Sequence, residues 1–185
     1  MSFFVRGKGW LSDPLFVKSA ANAALFQAGW WICILGPIEA AIGFTAVYLF
    51  AHAKWLLPNT VWQHVVRIVV IGCAMDSFIA FTGILNFGEQ RQVIPLWLVC
   101  IWVMFAPCFF LSLRFLSKLP LVAAATGAIG GTLAYFGGAA IRADVQLGEP
   151  ILHSVLILAI VWALFVPLVF AYVNRDGVLA VKGHS

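Results

Sequence analysis

Charge is what this chain has least of. Acidic and basic residues make up 10% of its 185 residues against 63% hydrophobic, with a mean hydropathy of +1.02. That composition excludes a soluble domain with an ordinary water-facing surface. The four cysteines, Cys33, Cys73, Cys100 and Cys108, each fall inside an apolar run. They form neither a secreted disulfide framework nor a closely spaced zinc site, and they read as small packing residues. No glycine-rich phosphate loop or metal-ligand spacing occurs, so no metal or nucleotide motif is present and the cofactor stays unknown. The eleven Lys and Arg residues are scattered singly at the ends of apolar runs, which excludes nucleic acid as a partner. His52, His64, His153 and His184 do not pair at matched depth, which speaks against a haem held between two helices.

What the chain has is long apolar runs. They do not alternate polar and apolar residues as the strands of a membrane barrel would. The expected fold is all-α: a polytopic membrane protein with six transmembrane helices forming a single transmembrane domain over residues 1–185. The spans are placed at about 16–35, 37–55, 67–86, 93–113, 121–141 and 151–173. Gly36-Pro37 joins the first two in a tight hairpin, and Pro107 should kink the fourth by removing a backbone donor. The apolar run after Arg6, Lys8 and Lys18 is about twenty residues long and continues into another, so it reads as a retained span rather than a signal peptide. Met1–Leu15 is a short basic lead expected to lie at the interface. Nine of the eleven basic residues fall on one side of this topology and only Arg91 and Arg142 on the other. That places both termini in the cytoplasm.

Asp76 stands at the centre of the third run. About nine large apolar residues at roughly −0.3 to −0.6 kcal/mol each are set against about +3 for a central Asp, so this span inserts only marginally alone and needs neighbours. Gly72, Ala80 and Gly83 share its helix face, giving a small-residue surface that another helix can approach. Lys18 and Arg67 lie at the ends of their runs, and no Lys or Arg lies in the middle of a membrane run to pair with it. Asp76 is therefore the one catalytic candidate, as a proton donor or acceptor, with a buried hydrogen bond to a neighbour such as Gln27 as the structural alternative. Gln27 shares a face with Ala20, Ala24 and Trp31. In the fifth run, Gly127, Gly131, Ala134 and Gly138 form a helix-docking face, flanked by Thr132 and Tyr135. Trp31, Trp97, Trp102, Thr132 and Tyr135 join Gln27 and Asp76 as residues for ligand binding or packing. Glu89, Asp144 and Glu149, with nearby glutamines, read as solvated turns rather than a cation-attracting mouth.

Four strings carry a resemblance: LFQAGWW at 25–31, MDSFIAFTGILNF at 75–87, PLWLVCIWVMFA at 95–106 and GAIGGTLAYFGG at 127–138. In order and spacing they are similar to a family of small bacterial inner-membrane proteins classed as a domain of unknown function, over about Ala20 to Trp162. The resemblance implies a helical bundle with no established activity, an association with lipid-modification genes, and a multi-pass place in the bacterial cytoplasmic membrane. Pro107 departs from the family pattern.

Three functions follow as expectations. The first is a non-catalytic accessory or binding protein that handles a lipid or apolar ligand, or docks to other membrane subunits. The second is an intramembrane enzyme or auxiliary of lipid modification using Asp76. The third is the substrate-binding membrane subunit of a vitamin importer, on the Ala20/Ala24 face. The balance is against an enzyme.

Overall fold

A computed structural model describes residues 13–88 and 93–179. It contains six α-helices: α1 (Pro14–Leu35), α2 (Ile38–Ala51), α3 (Trp62–Phe81), α4 (Leu96–Phe105), α5 (Pro120–Ile141) and α6 (Ile151–Arg175). Two short strands, β1 (Leu85–Asn86) and β2 (Gln146–Leu147), pair antiparallel with Leu85 opposite Leu147. Residues 1–12 of the basic lead and residues 89–92 around Glu89 lie outside the described residues, while Pro14 and Leu15, expected in the lead, already belong to α1.

Local chemistry sets the helix starts. Asp13 caps α1 by accepting from the Leu15 backbone N–H at 2.9 Å, and Pro14 opens the first turn. Pro120 opens α5, and Glu149 accepts from Ile151 N at the start of α6. Gly36 and Pro37 separate α1 from α2 as expected. After α2 the chain continues as a π turn over His52–Leu56, then stops at Pro58.

The expectation of six spans is corrected here. Among the described residues, three helical stretches are long and apolar enough to cross a membrane: Asn59–Phe81, which adds a 3₁₀ turn to α3, then α5 and α6. The α1 helix has the length, at 22 residues, but carries Lys18, Asn22 and Gln27. The α2 helix has 14 residues. The α4 helix has 10, and Ala106–Phe110 continues it as a 3₁₀ helix rather than as α-helix. Pro107, in the first turn of that segment, is the reason: it cannot donate an i→i−4 bond. The third span is also displaced. It begins before Arg67 and ends at Phe81, and Asn86 belongs to β1 instead.

The α5 and α6 helices pack along each other, while α4 sits among α1, α2 and α3. A buried polar network ties α1, α2 and α4 together. Asn22 Nδ2 donates to Tyr48 Oη at 2.8 Å and to His52 Nε2 at 3.1 Å, and Ser112 donates to Asn22 Oδ1 from its hydroxyl at 2.6 Å and its backbone N–H at 3.3 Å. Tyr48 Oη donates in turn to the Met104 carbonyl at 2.7 Å. His52 Nδ1 donates to the Tyr48 carbonyl at 2.7 Å, which fixes the tautomer that leaves Nε2 free to accept. Every donor and acceptor in the network is used, as groups removed from water require. Tyr48→Phe should cost about 2 kcal/mol, because it leaves one Asn22 N–H without a partner and the Met104 carbonyl with only the weak Cys108 thiol donor at 3.7 Å. Unfolding in detergent would show it as a lowered transition, and an unchanged transition would contradict the network's role.

At the other side of the bundle, Arg67 donates to Tyr172 Oη at 2.8 Å, and His64 Nδ1 lies 3.0 Å from the same oxygen. These bonds join α3 to α6.

Candidate functional site

Asp76 lies on the inward face of α3, with Ile68, Gly72 and Ile79, and is fully buried. A Cβ at Gly72 would lie 2.3 Å from the Trp102 ring. The missing side chain is therefore what lets Trp102 of α4 lie against α3. That position brings Trp102 Nε1 to 2.7 Å from Asp76 Oδ2. From α5, Tyr135 Oη donates to Asp76 Oδ1 at 2.5 Å. The carboxyl thus bridges three helices through two neutral donors, and no cation is among its bonded partners. The expected bond to Gln27 is not formed.

Trp102 also stacks on Trp162 of α6, with ring centroids 5.6 Å apart and planes within 5°. Trp162 reaches this position because α5 offers glycines beneath it. A Cβ at Gly131 would meet the Trp162 ring at 2.3 Å, and one at Gly127 would meet the Trp162 carbonyl oxygen at 2.3 Å. Of the docking face expected on the fifth run, Gly127 and Gly131 seat α6, whereas Ala134 is exposed and Gly138 faces Ile34 of α1. Phe105, Phe165 and Tyr135 set their rings around the stacked pair.

In front of this aromatic platform lies a groove of about 420 Å³. Its walls are Phe26, Gln27, Trp30 and Ile34 from α1, Trp97, Trp102 and Phe105 from α4, Gly127 to Gly138 on one face of α5, and Trp162 and Val166 from α6. Gln27 on one bank, and Thr126, Gly130, Leu133 and Ala134 on the other, are exposed, so the groove opens sideways between α1 and α5. Among the described residues, no Asp, Glu, Lys, Arg or His lines it.

The two banks meet at one end. A Cβ at Gly137 would lie 3.8 Å from Trp30, and one at Gly138 would lie 3.8 Å from Ile34, whereas one at Gly130 would meet nothing within 4 Å. Arg142 secures the closed end. Its guanidinium sits 4.6 Å from the Trp97 ring centroid, donates to the Cys33 and Ile34 carbonyls at 3.1 and 3.3 Å, and pairs with Asp144. Those carbonyls belong to the last turn of α1 and have no partner within their own helix.

The residues singled out in the sequence are therefore dispersed around one feature. Trp97, Trp102, Tyr135, Gln27, Gly127, Gly131, Ala134 and Gly138 all line the groove. Asp76 lies behind it, shielded by Trp102 and Tyr135. Trp31 is 45% exposed and turned away, edge-on to Trp30. Thr132 is buried, lies outside the groove, and its hydroxyl makes no hydrogen bond to any described residue. Ala20 and Ala24 are exposed rather than packed.

Sequence reasoning missed Trp162, Trp30, Asn22 and Arg142. Trp162 sits in an unbroken apolar run and gives no signal of its own. The glycines at 127 and 131 were the available clue, because such a flat face calls for a large ring opposite.

Among known proteins, the chain matches the family described as "Protein of unknown function (DUF2878)" over residues 19–168. No curated protein and no solved structure matches it.

Proposed function

The chain belongs to this family of unknown function, and from its geometry we propose that it is a non-catalytic binding protein of the bacterial cytoplasmic membrane that holds a lipid or other apolar molecule between α1 and α5. One observation carries the reading. The groove opens sideways along α5, a helix long and apolar enough to cross the membrane. A molecule dissolved in the bilayer reaches such an opening without passing through water. Walls of aromatic rings and glycine backbone, with few polar groups, suit an apolar occupant.

Asp76 then has a positioning role. It does not line the groove, and both its oxygens are engaged by side chains that do. It holds the Trp102 and Tyr135 rings in place, which favours binding over intramembrane catalysis.

The test uses Ala134→Trp, which places a bulky ring at an exposed position of the groove wall. The wild type purified in mild detergent should carry an apolar molecule that solvent extraction and mass spectrometry detect. The variant should retain about tenfold less, a loss of roughly 1.4 kcal/mol in binding, while unfolding at the wild-type temperature. Equal retention by the two proteins would refute the reading.

A further inference from the structure

We propose that the occupant of this groove is a neutral quinone-class molecule, a flat oxygen-bearing ring on an apolar tail, and that Gln27 is its hydrogen-bond partner. The inference rests on the binding reading above and narrows it to a ligand class.

The Gln27 carboxamide is the observation that requires more than a hydrocarbon chain. It stands in the groove wall, about one turn of α1 before the Trp30 contact with Gly137, and it makes no hydrogen bond to any described residue. The other carboxamide of α1, Asn22, is fully bonded. Gln27 is exposed at the mouth of the groove, so an occupant that fills the groove covers its amide, which is costly without a partner, and an acyl chain offers it none. A carbonyl or hydroxyl oxygen satisfies it, since the amide both donates and accepts. That oxygen belongs to an uncharged group, because no charged side chain among the described residues lines the groove to balance an ion.

The walls indicate the shape. Trp30, Trp97, Trp102 and Trp162 line the groove together with Gly130 and Ala134 of α5. A groove lined by indole rings and glycine backbone offers a planar ring stacking and edge contacts that a flexible saturated chain does not use. Beside that strip the groove follows α5 from Thr126 to Gly138, about 18 Å at 1.5 Å per residue, which leaves room for a tail.

The test titrates a decyl-substituted benzoquinone into the protein in phosphatidylcholine nanodiscs and follows quenching of tryptophan emission. Saturable quenching is expected for the wild type. Gln27→Leu should weaken it about tenfold, the loss of one hydrogen bond in apolar surroundings, with an unchanged unfolding temperature because Gln27 bonds to nothing in the fold. Quenching that never saturates, or that Gln27→Leu leaves unaltered, overturns the proposal. If Ala134→Trp still strips a co-purified acyl lipid from the protein while the quinone fails to bind, the ligand class is wrong and the groove's binding role stands. If Ala134→Trp strips nothing and the quinone fails to bind, both fall.

Discussion

Gly127→Leu is expected to prevent α6 from seating on α5 and to leave little folded protein. A Cβ at this position would stand 2.3 Å from the Trp162 carbonyl oxygen and 2.8 Å from a Val166 methyl. The first obstacle is backbone and cannot swing aside as a side chain can. Overpacking a core costs about 1–3 kcal/mol when side chains can adjust, and more when they cannot, so a loss of about 3 kcal/mol or greater is expected. The matched control is Gly130→Leu, three residues along the same helix. A Cβ there meets nothing within 4 Å, and the substitution should leave the unfolding temperature unchanged. Comparing the two by thermal unfolding in one detergent isolates the close approach of the helices from the general effect of replacing a helical glycine. Equal behaviour would mean that α5 and α6 do not pack as described.

Asp76→Leu carries the second large effect. Leucine deletes both acceptors at once and leaves the Trp102 indole N–H and the Tyr135 hydroxyl buried without partners. At about 1–3 kcal/mol for each orphaned donor, the expected loss is roughly 2–6 kcal/mol. Asp76→Asn keeps one oxygen to accept from Trp102 and presents an N–H₂ to the tyrosine oxygen, so its cost should be about 1 kcal/mol. The ordering, Asn mild and Leu severe, follows from a carboxyl that acts as a hub of hydrogen bonds. Equilibrium unfolding monitored by tryptophan emission reads both variants. A leucine variant as stable as the wild type would show that the three-helix bridge holds nothing together.

Much of this architecture was legible in the sequence, and the limits are specific. Apolar runs and their Gly-Pro and Pro boundaries located the helices, because a backbone in hydrocarbon must satisfy itself within a helix. The number of crossings was not legible in this way. Hydropathy treats residues 93–113 as one run, whereas Pro107 turns the second half into a 3₁₀ segment that shortens the helix. The β1–β2 pairing of two residues on each side left no pattern to find.

Asp76 stood out through scarcity, since a lone carboxylate in an apolar run needs a partner. Which partner was another matter. Periodicity says what shares a helix face, but it does not say which helix lies opposite. Gln27 is polar and was the natural guess; Trp102 and Tyr135 bring their N–H and O–H inside side chains that hydropathy counts as apolar. The same blindness hid Trp162. Ala20 and Ala24 have the spacing of a packing face and are exposed, so small-residue spacing marked a real seat in α5 and an unoccupied one in α1.

The account's central claim is that the opening between α1 and α5 holds one apolar molecule taken from the bilayer. Native mass spectrometry of the protein released from nanodiscs tests it most directly, at collision energies that strip loosely associated lipid. The account predicts a single adduct, one molecule per chain, that survives in the wild type and is lost in Ala134→Trp. A wild-type spectrum showing only the bare chain, or the same adduct in the variant, would contradict it.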